Sequence, residues 1–243
     1  MSGPERAGLV TGGSRGIGLA IAEMLASEGY ALTISSRQEA NLRPAADRLR
    51  EQGHEVLDIP GNMASEDDIK RVVGAHRERF GRLDVLVNNA GLGVGAGAGD
   101  VDTKGLDLQL AVNIRAIILF YREAVDLLRA AAAERGSALV INVASIAGLR
   151  GAPWLGVYSA TKHAIVGYTR SMNRELGSEG IKSTALCPAF VDTDMTTFIR
   201  ERVPRESMIR TDDVAQAVRW LIHTSPQCVV PELVMTLPGD VDE

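Results

Sequence analysis

Tyr158 and Lys162 stand four residues apart at the end of the segment 145–162, which also begins with a serine, Ser145. On a helix this spacing puts both side chains on one face, one turn apart. A phenol has a reference pKa of about 10 and is a poor proton donor or acceptor near neutrality. An ammonium held beside it favours the phenolate and lowers that pKa. A shift of about 3 units takes about 4 kcal/mol, at about 1.36 kcal/mol per unit. Burial adds to the effect only while the lysine stays charged. Ser145 lies just before the loop leading to this helix and can offer a hydroxyl to the same reacting oxygen. A solvated helix surface can also carry a Tyr-x-x-x-Lys pair, so its meaning depends on the elements that position it.

Those elements alternate along the chain. Ala7–Thr11 reads as a short buried strand that runs into Gly12-Gly13-Ser14-Arg15-Gly16-Ile17-Gly18 and then into helical apolar spacing over 19–28. Strand, glycine turn and helix form the context of a phosphate-binding loop. The glycines let the backbone approach a pyrophosphate, and the helix N-terminus offers free N–H groups and a partial positive charge. Further strands are predicted at 31–36, 55–59, 85–88, 138–143, 182–186 and 234–237. Helices are predicted over 39–52, from a Ser65 cap to Phe80, as one long helix over 104–135, from the Tyr158 turn to Glu179, and from an Asp212 cap to Thr224. The polar segment 193–209 has no strong period.

Short apolar strands, each followed by a helix, predict an α/β fold: a doubly wound parallel sheet of about seven strands, one domain over 1–243. The ligand of such a sheet lies beyond the carboxyl ends of its strands, at the switch point. Gly12, Asn88 and Ser145 all fall at predicted strand ends.

With 45% hydrophobic residues among 243, the chain can bury a substantial core. No apolar run is long enough to cross a bilayer, and the first residues lack a secretory pattern, so a cytoplasmic protein with no membrane partner is expected. Cys187 and Cys228 make no disulfide framework. His54, His76, His163 and His223 are scattered without ligand spacing, so no metal site is expected. A net charge of −5 without a basic block argues against nucleic acid as partner.

Taken together the motifs resemble those of the short-chain dehydrogenase/reductase family over nearly the whole chain. Its Thr-Gly-x-x-x-Gly-x-Gly stands here as Thr11-Gly12-Gly13-Ser14-Arg15-Gly16-Ile17-Gly18, and its Asn-Asn-Ala-Gly as Asn88-Asn89-Ala90-Gly91. The family's catalytic quartet corresponds to Asn113, Ser145, Tyr158 and Lys162. The stretch Pro188-Ala-Phe-Val191-Asp-Thr193 is similar to the one that holds the nicotinamide amide. Three departures stand out: Ala189 replaces a usual glycine, Asn62 with Met63 stands where an aspartate commonly meets adenine, and the C-terminus lacks Asp-Gly-Gly.

The resemblance implies that Tyr158 is the general acid in carbonyl reduction and the base in reverse. Lys162 would lower its pKa and hold the nicotinamide ribose, Ser145 would polarise the substrate oxygen, and Asn113 would hold a water relaying protons to the lysine. A nucleotide-binding regulatory protein without turnover is the alternative of another class, and retention of Tyr158 and Lys162 speaks against it.

The cofactor expected is NADP(H). An acid commonly ends the second strand of NAD-preferring proteins. Here that strand ends in Ser35-Ser36-Arg37, and Arg15 offers a second guanidinium to a 2′-phosphate. The substrate expected is a small, predominantly apolar ketone or its alcohol. Leu92, Val94, Ile146, Leu149, Trp154, Leu155, Phe190 and Phe198 would form the walls, with Arg150 on the approach. A 3-oxoacyl chain on an acidic carrier is the rival; Arg129, Arg135, Arg200, Arg202 and Arg205 are candidate docking cations, and Glu179 stands where carrier-dependent members tend to have arginine. Apolar runs at 117–120 and around Ile165, Val166 and Tyr168 predict a homodimer or homotetramer.

Overall fold

The computed structural model describes residues 4–239. Seven parallel strands form one sheet: β1 (Ala7–Thr11), β2 (Ala31–Ser36), β3 (Val56–Pro60), β4 (Val85–Asn88), β5 (Ala138–Val143), β6 (Ile181–Pro188) and β7 (Glu232–Met235). Their order is β3-β2-β1-β4-β5-β6-β7, so the winding reverses between β1 and β4. Each strand is followed by a helical crossover except the last. The helices are α1 (Gly16–Ser27), α2 (Glu39–Glu51), α3 (Glu66–Phe80), α4 (Thr103–Leu110), α5 (Ala116–Arg135), α6 (Gly156–Leu176) and α7 (Thr211–Ile222).

Strand side chains alternate between two cores, which is why the strands read as continuous apolar runs. Leu9, Leu86 and Val140 pack on the face covered by α3, α5 and α6, with Ile69, Phe120 and Ile165. Their neighbours Val10, Val87 and Ile141 pack on the opposite face, with Leu25 of α1, Leu42 of α2 and Val218 of α7. Both faces are therefore sealed, and polar groups can meet a ligand only at the strand ends.

Several local boundaries differ from the sequence expectation. The predicted 104–135 helix is broken: a π-helical turn, Ala111–Arg115, separates α4 from α5. Asparagine is a poor interior helix residue, and Asn113 sits inside that widened turn. The last helix begins at Thr211, and Asp213, not Asp212, accepts from the Arg210 backbone N–H at 3.0 Å. Strand β7 lies two residues earlier than predicted, because Ala185↔Glu232 through Pro188↔Met235 is the register that pairs it with β6. The helix α6 stops at Leu176 and passes through a 3-10 turn to Gly180, whose φ of 80° ends it. The segment without period is two 3-10 turns, Asp194–Ile199 and Arg205–Ser207, closed by a bridge between Val191 and Ile209. Of the C-terminal departure, residues 240–243 lie outside the described chain.

Candidate active site

The glycine loop leaves β1 at the switch point. Gly12 has φ 65°, and a Cβ there would lie 2.7 Å from Asn89 Nδ2; a Cβ on Gly18 would lie 2.3 Å from the Gly12 carbonyl oxygen. Both positions therefore demand glycine. Arg15 is the N-cap residue of α1 and supplies no side-chain cap, and no acid occupies the first turn. The amides of that turn are left to an anion rather than to the chain itself. Thr11 Oγ1 accepts from the N–H groups of Asn89 and Ala90, both at 3.0 Å, and Asn89 Nδ2 donates to the carbonyls of Thr11 and Gly12. These bonds lock the exit of β4 to the exit of β1, so Asn89, Ala90 and Gly91 lie beside Gly12.

Across the switch point, β5 delivers Ser145 and α6 delivers Tyr158 and Lys162. Ser145 Oγ accepts from Ala147 N–H at 3.2 Å, which fixes the hydroxyl at the start of a short 3-10 turn. The Ser145 side chain lies near enough to the Tyr158 phenol to favour its ionised form. Lys162 is buried; its Nζ donates to the Val143 carbonyl at 2.8 Å and lies 5.4 Å from the centroid of the Tyr158 ring. Burial holds the Lys162 ammonium down to about 8, with the Cys187 thiol opposing that fall. Burial also pushes the Tyr158 phenol up, against the lowering effect of the Ser145 side chain. The expected depression of the tyrosine by its lysine does not emerge in the protein alone: burial raises the phenol and lowers the ammonium, because it destabilises both charged forms. Cys187 lies beneath this group, fully buried, its thiol pushed up to about 11 mainly by burial.

Asn113 does more than the sequence reading assigned to it. Its Oδ1 accepts from Leu92 N–H at 2.9 Å, and its Nδ2 donates to the Leu92 carbonyl at 2.8 Å and to Thr161 Oγ1 at 3.1 Å. Thr161 Oγ1 in turn donates to the Tyr158 carbonyl at 2.7 Å. A Cβ built on Gly91 would lie 3.4 Å from Asn113 Oδ1 and 3.6 Å from Lys162 Nζ, so glycine keeps open the gap between the amide and the ammonium. One turn earlier, Gln109 repeats the motif: its Oε1 accepts from Val94 N–H at 3.1 Å and its Nε2 donates to the Val94 carbonyl at 3.3 Å. Sequence reasoning passed over Gln109 and Thr161; two amides at i and i+4 opposite an extended glycine-rich loop were the available signal.

The remaining cofactor-side residues surround the loop. Arg37 is exposed at the end of β2 and makes no ion pair among the described residues. Arg15, also exposed, pairs with Asp194 at 2.9 Å. Ser14 and Ile17 are half-buried in the loop. Asn62 is exposed, its Oδ1 accepting from Ala64 N–H at 3.1 Å, while the Met63 side chain is in the core. Pro188 ends β6, Val191 is buried, and a Cβ on Gly16 would lie 3.3 Å from Thr193 Cγ2, which places Thr193 against the glycine loop.

Around the mouth, the expected apolar walls separate into two groups. Leu92 and Leu149 pack against the core. Val94, Trp154 and Phe198 are exposed by 43%, 57% and 57%, and Met195 by 51%. The Trp154 and Phe198 rings are 6.4 Å apart. Trp154 has φ 68°, the only left-handed non-glycine among the described residues. The candidate carrier-docking cations are mostly engaged: Arg129 with Glu179 at 2.5 Å, Arg135 with Glu5 at 2.9 Å, and Arg200 and Arg205 with Asp192 at 3.4 and 2.6 Å. No group of three potential metal-ligating side chains, and no helix long and apolar enough to cross a membrane, occurs among the described residues.

Comparisons with known proteins agree with this geometry. The model of the short chain dehydrogenase family matches residues 6–204. A putative ketoacyl reductase of Streptomyces coelicolor is 34% identical over 252 residues, covering 95% of each chain. An actinorhodin polyketide ketoreductase variant solved with NADPH superposes with a TM-score of 0.86 at 30% identity, covering 95% of each chain. A 3-ketoacyl-(acyl-carrier-protein) reductase from Brucella melitensis complexed with NADH gives a TM-score of 0.86 at 26% identity, covering 96% of each chain.

Proposed function

The chain belongs to the short chain dehydrogenase family, and from that premise we propose that it is an NADP(H)-dependent oxidoreductase interconverting a predominantly apolar ketone and its secondary alcohol. The observation that carries this reading is the pairing of Tyr158 with a buried Lys162, whose Nζ lies 5.4 Å from the tyrosine ring centroid and is bonded to the Val143 carbonyl at the end of β5.

The loop residues fit the cofactor. The first-turn amides of α1, free of any side-chain cap, would hold its pyrophosphate across Gly12, Gly16 and Gly18. Arg15 and Arg37 would take a 2′-phosphate, Asn62 and Met63 would flank the adenine side, and Asn89, Ala90 and Gly91 would line the floor. Pro188, Val191 and Thr193 are assigned to the nicotinamide side and Lys162 to its ribose. When bound, the nicotinamide supplies or takes up the hydride.

The chain's own groups manage the proton. Tyr158 donates it to the substrate oxygen in reduction and accepts it in oxidation. Ser145 donates a hydrogen bond to the same oxygen and so stabilises the charge that develops there. Lys162, held by Val143, keeps a positive charge available below the Tyr158 ring, and the gap lined by Gly91, Asn113 and Lys162 is the route by which a proton can return. The exposed apolar side chains Val94, Trp154, Met195 and Phe198, with the Trp154 and Phe198 rings 6.4 Å apart, support an apolar substrate.

A carrier-bound 3-oxoacyl thioester is the second reading. The names of the relatives favour it, whereas the ion pairs of Arg129, Arg135, Arg200 and Arg205 leave few uncompensated cations for an acidic carrier. Following NADPH absorbance over aromatic ketones, aliphatic ketones, and free and carrier-bound 3-oxoacyl thioesters tests both. Turnover confined to polar sugars would defeat the proposal, and a strong preference for carrier-bound over free thioesters would promote the second reading.

A homodimer is proposed from the stripe Leu110, Ile114 and Ile118 at four-residue spacing, its outer two members exposed by 42% and 41%. The other apolar residues that suggested association, Ile117, Leu119, Phe120, Ile165 and Val166, are buried within the single chain. Sedimentation as a monomer at micromolar concentration would contradict this. A cytoplasmic setting is proposed from the two unpaired cysteines, one of them exposed.

A further inference from the structure

Between β4 and α4 the chain runs through Leu92-Gly93-Val94-Gly95 in no regular element. It is nevertheless bonded like a strand. Asn113 takes both backbone groups of Leu92, and Gln109 takes both backbone groups of Val94. Four residues of helix rise about 6 Å and two residues of strand about 6.6 Å, so one amide per turn can serve every second peptide. The helix thereby presents an edge of side-chain amides in place of a neighbouring strand.

The intervening residues face the aromatic rings. A Cβ on Gly93 would lie 3.2 Å from Tyr158 Cδ2, and one on Gly95 would lie 2.6 Å from the Trp154 ring. The bare backbone therefore lies against the ring that carries the proton and against the ring that lines the mouth. Gln109 is buried, and its amide is bonded to both backbone groups of Val94. A buried amide in the first helix turns before a site is costly unless both its groups are paired, and here both are.

We propose that Gln109 is a positioning residue for carbonyl reduction: through Val94 it holds the Gly93–Gly95 ribbon against Tyr158 and Trp154, and so fixes which face of a ketone the site accepts. The proposal rests on the carbonyl-reduction reading for its catalytic consequence, while the hold on Trp154 stands without it. Gln109→Leu keeps the volume and removes both hydrogen bonds. Gln109→Glu keeps the acceptor for Val94 N–H but sets an anionic oxygen against the Val94 carbonyl until the introduced carboxyl is protonated.

The test pairs two readouts. In a Trp220→Phe background Trp154 is the remaining tryptophan of two. Gln109→Leu is expected to red-shift its emission and to increase its quenching by acrylamide, and Gln109→Glu to do so at neutral pH and revert on acidification. In ketone reduction, Gln109→Leu is expected to raise KM for a bulky ketone about tenfold, the scale of one lost pair of hydrogen bonds. It should also erode the enantiomer ratio of the alcohol, with NADPH affinity unchanged. Emission, KM and enantiomer ratio all equal to those of the parent would overturn the proposal. So would a uniform loss of cofactor binding and turnover with a lowered Tm, which is general destabilisation. A parent that reduces no ketone would overturn the carbonyl-reduction reading instead, and the emission result would still decide whether Gln109 holds the ribbon.

Discussion

Lys162 Nζ lies 5.4 Å from the centroid of the Tyr158 ring and gives its hydrogen bond to the Val143 carbonyl. The lysine is thus anchored to the end of β5 beside the tyrosine. Its burial has a thermodynamic cost, since the ammonium is held at about 8, below its ordinary 10.5. For a base whose folded pKa is depressed, that cost is fully present below about pH 8 and fades as pH rises toward 10.5. Lys162→Met should therefore stabilise the cofactor-free protein at pH 7, by up to about 3 kcal/mol, while abolishing turnover. Thermal unfolding of the two proteins between pH 7 and 10 checks this, and the gap between them should narrow toward pH 10.

Cofactor choice should follow the two arginines. Arg37→Asp should weaken NADPH binding about 10- to 100-fold, the scale of one lost charge-assisted bond, and favour NADH. Asp194 competes for Arg15 in the protein alone. Because an exposed ion pair contributes little, Asp194→Asn should tighten NADPH only by up to about fivefold and leave NADH unchanged. Dissociation constants for both cofactors, measured by fluorescence, decide each case.

The buried His76 makes folding acid-sensitive. Its Nε2 donates to the Arg82 carbonyl at 2.8 Å, so its Nδ1 accepts from Thr33 Oγ1, also at 2.8 Å. Burial holds its pKa at about 4, below the ordinary 6.5. The unfolded chain therefore binds the extra proton between these values, and stability falls as pH drops through that window. The loss should reach about 3 kcal/mol near pH 4. Urea unfolding from pH 7 to 4 should show this slope, and His76→Gln should lack it.

Trp154 keeps a left-handed backbone and an exposed ring, a combination that costs free energy and persists where a ligand repays it. Trp154→Ala should raise KM for aromatic ketones about tenfold or more, the value of burying one large apolar side chain against substrate, and leave NADPH affinity unchanged. Steady-state kinetics on an aromatic and a small aliphatic ketone separate the effects, since the small ketone should respond less.

The strands were legible because a parallel sheet buried on both faces leaves short apolar runs with glycine and helix after each, and β1, β2, β4 and β5 begin and end where the pattern placed them. What the pattern could not convey was side-chain hydrogen bonding that replaces regular structure. The π-turn at Asn113 interrupts an otherwise unbroken helical period, since adding one residue to a turn leaves composition unchanged. The loop from Leu92 to Gly95 carries no strand signature because its partners are Asn113 and Gln109 side chains. Arg15 was legible as a loop cation, but its partner Asp194 lies 179 residues away and emerges only from the folding of the segment after β6. The acid–base motif itself was legible as a spacing; that burial would raise the Tyr158 phenol and lower the Lys162 ammonium required the three-dimensional surroundings.

The central claim is that Tyr158 delivers the proton to a substrate oxygen. Tyr158→Phe removes that hydroxyl with little change in volume. With a ketone that the parent reduces, kcat should fall about 10²- to 10⁴-fold, the range for loss of a general acid, while the NADPH dissociation constant stays within about twofold, since the change leaves the glycine loop and Arg15, Arg37 and Lys162 in place. Substantial turnover by Tyr158→Phe on that ketone, with cofactor bound as in the parent, would contradict the account.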